Sequence, residues 1–143
     1  MAEVFPDEGL DIILNIFPRG GTNLTTTYLC LFTSFTASTV GSSSQGADSY
    51  TEPAGNAYAR QSIAAASWGA PTAGTGGRKT TAAQVTFPTA TGSWGTVNGF
   101  WLADILSTTG DKTIFSANFD DTTAISPQTG DVVRVTATMQ ANS

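Results

Sequence analysis

The residues best able to do chemistry in this chain are five aspartates in its C-terminal half. Two paired carboxylates can act as acid and base in glycoside hydrolysis, and several together can bind Ca²⁺, which takes about six to eight oxygen ligands. Most of these aspartates lie in predicted turns, where Asp commonly hydrogen-bonds the backbone. They also lack the spacing of a calcium-binding loop. We therefore predict no catalytic residue and no metal ligand among Asp104, Asp111, Asp120, Asp121 and Asp131.

The other reactive side chains lack partners for catalysis. The chain has no histidine, which excludes a Ser-His-Asp or Cys-His arrangement. Cys30 is the only cysteine, and its apolar neighbours in residues 28–32 predict a buried thiol. Lys79 and Lys112 lie in polar turns, where a depressed pKa is not expected. We therefore expect a protein that is not an enzyme and that binds no cofactor.

Charge and hydropathy argue against nucleic-acid and membrane partners. The net charge is −5, and the six basic residues are scattered, whereas nucleic-acid binders carry a basic patch. The Gly-rich segment 74–80 lacks the spacing of a phosphate-binding loop, so we predict a hairpin loop there. No apolar run approaches the roughly 20 residues that span a bilayer, and no signal peptide is evident at the N-terminus. We expect a soluble, unprocessed chain.

The composition favours β-structure. The chain has 143 residues, which suits a single domain over 1–143. Only 12% of the residues are charged, so Thr, Ser and Gly must supply much of the polar surface, and Thr fits a pleated sheet. A surface with few charges is also typical of the core of a protein interface.

One segment, residues 5–18, predicts a short helix. Leu10, Ile13, Leu14 and Phe17 follow the i, i+3, i+4, i+7 spacing of an apolar helix face. A helix this short needs packing from elsewhere to be stable. It either covers the sheet of its own domain or docks onto a neighbouring subunit.

The rest of the chain predicts short strands separated by turns. Hydrophobic residues occupy both the odd and the even positions at 29–32, which predicts a central strand buried on both faces. Segments 38–56 and 70–79 are rich in Gly and Ser or Thr and predict flexible loops, the first of them a contact arm or a plain surface loop. The pattern indicates an all-β fold, a β-sandwich or jelly-roll-like single domain with one N-terminal helix. The predicted strands are 25–35, 58–68, 84–87, 97–103, 112–119 and 131–139.

Tryptophans are the remaining candidates for a binding surface. In a β-domain they serve core packing or subunit contact more often than sugar stacking. We therefore take them, with the apolar helix face, as candidate interface residues. The set is Leu10, Ile13, Leu14, Phe17, Trp68, Trp94 and Trp101.

Several short motifs resemble a family of small virion proteins of tailed bacteriophages. They begin with Tyr58-Ala59-Arg60-Gln61 and continue in order through most of the chain. The densest block joins residues 85–97 to Gly99-Phe100-Trp101-Leu102-Ala103-Asp104. Turns at residues 109–111 and 130–132 complete the match.

The resemblance implies a non-enzymatic structural protein of the virion. Some members look like capsid cement proteins, and others look like parts of a tail fibre or tail tip. The compact, acidic chain lacks a fibre shaft, so we favour cement that binds the major capsid protein on the capsid surface. Assembly in the host cytoplasm and self-association as a dimer or trimer would follow. The alternative is a tail-associated protein, either structural or binding host glycans.

Overall fold

A computed structural model describes residues 9, 12–13, 23–35, 50–75, 77–119 and 124–142. This part of the chain is all-β, apart from a 3₁₀ turn at Ala65–Ser67 and the helical residues 9, 12 and 13. In chain order its strands are β1 (Thr26–Phe32), β2 (Ser34–Phe35), β3 (Tyr50–Thr51), β4 (Gln61–Ala64), β5 (Thr72–Gly74), β6 (Gly77–Thr81), β7 (Val85–Thr86), β8 (Gly99–Ala103), β9 (Thr113–Asn118), β10 (Arg134–Val135) and β11 (Thr138–Asn142).

A four-stranded antiparallel sheet in the order β4-β1-β8-β9 organises the described residues. The other pairings are β10 with β7, β2 with β3, and a three-stranded sheet in the order β11-β6-β5. As predicted, β1 is a central strand, and residues 29–32 are all buried. All five residues of its neighbour β8 are buried too. These two strands therefore form the middle of the fold.

The four-stranded sheet packs apolar side chains on both faces, because successive side chains of a strand point to opposite sides. Leu29 and Leu31 of β1 belong to a large core cluster with Phe100 and Leu102 of β8. This cluster also contains Val135 of β10, Val133 just before β10 and Phe87 just after β7. The opposite face carries a smaller cluster of Cys30, Phe32, Tyr50, Trp101 and Ala103.

A tight turn at residues 55–57 fixes the segment around Trp94. The indole N–H of Trp94 donates to the carbonyl of Asn56 at 2.9 Å, and the Asn56 side chain donates to the Ser93 carbonyl at 2.7 Å. Asn56 and Ala57 both have positive φ, at 52° and 67°. Few L residues adopt this conformation, so the turn holds Trp94 at a cost in backbone strain.

The observed elements correct several predicted boundaries. The strand predicted over 58–68 is limited to β4 and is followed by the 3₁₀ turn, and the strand predicted over 131–139 is divided between β10 and β11. A hairpin forms within 74–80, as expected. Its strands β5 and β6 occupy most of segment 70–79, which the sequence predicts as a flexible loop. The strands form despite the glycines between them, because Thr side chains fit a sheet.

Most of the predicted 5–18 helix lies outside the described residues, so it stays a prediction. The helical residues that are described place Gly9 against β9. A Cβ atom on Gly9 would collide with the carbonyl oxygen of Ile114. Only glycine therefore allows this approach to the edge of the four-stranded sheet. Of the predicted 38–56 loop, residues 38–49 also lie outside the described part.

Candidate functional site

The smaller core cluster borders a group of buried charged residues centred on Arg60. Arg60 lies just before β4, and its side chain is only 4% exposed. Its Nη2 atom lies 2.5 Å from Glu52 Oε1, and its Nη1 atom lies 2.9 Å from Asp111 Oδ2. The Asp111 side chain is 2% exposed. A buried guanidinium thus has a carboxylate on either side, which compensates the cost of removing its charge from water.

Tyr58 connects this charged group to the central strand. Its hydroxyl donates to Glu52 Oε2 at 2.7 Å and accepts from the Leu31 N–H of β1 at 2.9 Å. Burial and the neighbouring charge of Glu52 raise the pKa of Tyr58 well above its usual range. Burial alone would lower the pKa of Arg60, but its hydrogen bonds and charge pairing with Glu52, and its bond to Asp111, raise it. Both side chains therefore keep fixed protonation states and cannot exchange protons near neutral pH.

The aromatic ring of Trp101 covers one face of the guanidinium. The Arg60 Cζ atom lies 4.8 Å from the centroid of the Trp101 ring, a distance suited to a cation–π contact. Tyr50 stacks on Trp101, with centroids 4.9 Å apart and planes at 10°. Burial also raises the pKa of Tyr50, whose hydroxyl has no hydrogen-bond partner among the described residues. These contacts join the charged group to the aromatic cluster.

Cys30 is buried beside the same group, as the sequence predicts. Burial and the charge of Glu52 raise the thiol pKa well above its ordinary value, despite the opposing charge of Arg60. The thiolate form needed for nucleophilic attack is therefore disfavoured.

The carboxylates do not converge on an active centre in the described residues. Asp111 is the exception to the predicted turn role, because its side chain is buried and ion-paired. Asp104 accepts from the Lys112 N–H at 2.7 Å, and Asp131 accepts from the Gln128 N–H at 2.8 Å. In the described part of the chain, no three His, Cys, Asp or Glu residues are placed to hold a metal ion. Asp120 and Asp121 lie outside it.

Arg60 also fixes a surface loop, residues 104–112, which joins β8 to β9. Its Nη1 atom donates to the carbonyl oxygens of Leu106 at 3.4 Å and Ser107 at 3.1 Å, in addition to Asp111. The side chains of Ile105 and Leu106 are 40% and 57% exposed. One buried guanidinium therefore holds a loop that presents two large apolar side chains to solvent.

Residues 12–140 match a protein family described as podophage GP4 fiber I protein gp80. The chain belongs to this family. No curated protein matches it. Membership in the gp80 fiber family supports a structural protein of the phage virion, as the motif resemblance implies. It does not support the capsid cement function that we favour from the sequence, and the tail-fibre alternative fits the family description better.

The structure separates the predicted interface residues of this gp80 family member. Trp94 and Trp101 are buried in the two core clusters, and Trp68 is half-buried against the larger one. Ile13 is exposed. The interface role of these residues stays a prediction, as does that of Leu10, Leu14 and Phe17, which lie outside the described part.

Sequence reasoning misses the group formed by Glu52, Arg60 and Asp111. Arg60 is noticed only as part of the family-like motif at 58–61, and Glu52 falls inside a predicted loop. No spacing in the sequence signals the group, because arginine is mostly exposed in folded proteins. No helix in the described residues of the gp80 chain is long and apolar enough to cross a membrane.

Proposed function

We propose that this protein is a structural component of the tail fibre apparatus of a podophage, acting through protein contacts and not through catalysis. The observation that carries the proposal is the match of residues 12–140 to the gp80 fiber family. The match covers nearly all of the described residues, so it concerns the whole β-fold and not a local motif.

The buried charged group supports a structural role for its residues. Arg60, Glu52 and Asp111 satisfy one another inside the fold. Tyr58 and Cys30 have raised pKa values, so neither is activated as a base or nucleophile. These residues hold the 104–112 loop and β1 in place, which suits a scaffold that presents a fixed surface.

The scaffold that we propose is a two-layer β-sandwich. Its first layer is the four-stranded sheet, and its second is the β7–β10 pair. In support, the larger core cluster takes Leu31 and Leu102 from the first layer and Val135 from the second. Side chains from two sheets that meet in one core are typical of sandwiches.

Two of the three tryptophans, Trp94 and Trp101, do not support a glycan-binding role. Stacking on a sugar ring needs an accessible aromatic face, and Trp94 and Trp101 are both buried. We therefore propose that the partners are other virion proteins, with no nucleic acid and no membrane among them.

Electron microscopy of virions with an antibody against the purified protein tests the proposal. We expect label on the tail fibres. Label spread over the head would contradict it and favour a cement protein on the capsid surface. As a second readout, particles that lack the protein should keep the heat stability of DNA-filled heads, whereas loss of a cement protein would lower it.

A further inference from the structure

The 104–112 loop carries an apolar projection formed by the exposed side chains of Ile105 and Leu106, which we call the tip. The loop base is closed by two bonds between Asp104 and Lys112, and Arg60 binds the carbonyls of Leu106 and Ser107 from below. A rigid loop loses little backbone entropy when it binds, so more of the burial of its side chains contributes to affinity. Ile105 and Leu106 therefore suit a role as contact residues.

An apolar groove lies on a different part of the described surface. We call it the β11 groove, because Met139 and Ala141 of β11 line it. Ile13 and Pro71 supply further apolar surface, and Arg78 and Lys79 of β6 lie at its side. Its volume is about 230 Å³, enough to receive aliphatic side chains. It shares no residue with the 104–112 loop.

The sheet that forms this groove is only partly covered by the described residues, with Met139 packed in part against the larger core cluster. None of the residues in β5, β6 and β11 whose burial is described is buried. A three-stranded sheet normally needs an apolar face packed against something to be stable. The apolar residues beside β11 thus form a face that a partner can cover.

Charge identifies the partner. Arg78 and Lys79 are two of only six basic residues in a chain of net charge −5, so they attract an acidic protein. Asp104 directly precedes Ile105 and brings a negative charge to the apolar tip. The tip and the groove on one chain are therefore complementary in both polarity and charge.

We propose that the Ile105–Leu106 tip of one copy inserts into the β11 groove of a second copy, so that copies associate head to tail. This inference rests on the proposed fibre function and assigns the surfaces through which the subunits meet. Contacts between two different surfaces of one chain are heterologous, and they build rings or open filaments, not simple twofold dimers. Because the contact is small, separated chains should associate weakly.

Sedimentation equilibrium of three purified forms tests the contact. Leu106→Asp spoils the tip at an exposed position, and Ala141→Lys fills the groove at an exposed position of β11. Each should raise the dissociation constant by roughly one to two orders of magnitude, because burying one aliphatic side chain contributes about that much to affinity. The matched control, Thr108→Asp, adds the same charge to the same loop without removing an apolar side chain and should associate like the wild type. Near-ultraviolet circular dichroism confirms that each variant is folded.

Mixing the two variants gives the sharpest test. The Leu106→Asp chain keeps its groove and the Ala141→Lys chain keeps its tip, so an equimolar mixture should form one-to-one dimers and nothing larger. Failure of the mixture to pair, or a wild type that stays monomeric up to concentrations on the order of 1 mM, would overturn the inference. The proposed function is judged separately by the position of label on the virion, so a tail-located protein that stays monomeric defeats only the contact.

Discussion

Arg60 lies with its guanidinium carbon 4.8 Å from the ring centroid of Trp101. The contact places a positive charge against a core aromatic ring whose indole N–H has no hydrogen-bond partner among the described residues. Such an arrangement is stable only when the charge is compensated, and Glu52 and Asp111 provide the compensation. The packing of β8 and the conformation of the 104–112 loop thus depend on one side chain.

Replacing Arg60 should destabilise the fold more than any surface charge. Arg60→Met leaves two carboxylates buried without their partner, and we expect a loss of about 3–5 kcal/mol in the free energy of unfolding. Arg60→Lys should lose less, because it keeps the charge but not the planar fork that binds both carboxylates. Urea denaturation measures both.

The control for this prediction is Lys112→Met, which removes an exposed positive charge. It should change the free energy of unfolding by no more than about 0.5 kcal/mol. Equal losses in Arg60→Met and Lys112→Met would show that the buried group does not stabilise the protein.

Stability should fall at alkaline pH. Burial raises the pKa of Tyr58 above its ordinary value of 10.0, so the unfolded chain loses this proton at lower pH than the folded chain does. The stabilisation is therefore complete below pH 10 and declines above it, by up to about 1.4 kcal/mol per pH unit. Cys30 adds a loss of the same sign from pH 9 upwards, because burial raises its pKa from 9.0.

Tyr58→Phe isolates the tyrosine contribution when urea denaturation is repeated from neutral to alkaline pH. At neutral pH the variant should lose roughly 1 kcal/mol, since the Leu31 N–H loses its acceptor, but above pH 10 its stability should fall less steeply than that of the wild type. Phe87→Leu, a core change without a titrating group, should keep the wild-type slope. An unchanged slope in Tyr58→Phe would refute the assignment.

Gly9→Ala should detach the N-terminal segment from β9. The added Cβ collides with the Ile114 carbonyl, and the backbone shift that relieves it should cost about 1–3 kcal/mol. Alanine is the better helix former, so a loss identifies the collision and not helix propensity. Hydrogen exchange of the β9 amides should become faster. In the control, Gly69→Ala, the nearest heavy atom is 3.3 Å away, so β9 should keep its protection.

Ala57→Gly should stabilise the protein. Ala57 has φ of 67°, a strained value that glycine adopts freely. Glycine relieves about 1–2 kcal/mol of backbone strain. Glycine also gives the unfolded chain more conformational entropy, which offsets part of this relief. Thermal denaturation should therefore show a net gain of about 0.5–1 kcal/mol in the free energy of unfolding. Ala54→Gly, at a position without positive φ, should lose a similar amount. A loss in both variants would argue against strain in this turn.

The sequence predicts the central strands well because their signal is local. Apolar residues occupy both odd and even positions of the second half of β1, and such a run is typical of a strand buried on both faces. β5 and β6 are harder to predict, since the glycines clustered where the two strands meet are typical of a loop. Whether segment 70–79 is flexible stays a prediction.

The charged group could not be derived from spacing. Glu52 and Arg60 lie at the two ends of the connection between β3 and β4, whereas Asp111 lies in the loop between β8 and β9, and the pairing of β1 with both β4 and β8 brings these two segments close. Buried and exposed tryptophans also look alike in a sequence. Trp101 was therefore a candidate contact residue, although its ring packs between Tyr50 and Arg60.

The order β4-β1-β8-β9 has a consequence for synthesis of the chain. β1 leaves the ribosome before its partner β8, which follows only after β2 to β7 have been made. Until then β1 can pair only with β4, and Leu29, Leu31 and Phe32 lack their neighbours in β8; such delayed pairing makes folding slow. A nascent chain with exposed apolar strands is prone to aggregate. We therefore expect newly made protein to depend on the host's chaperones until β9 is released.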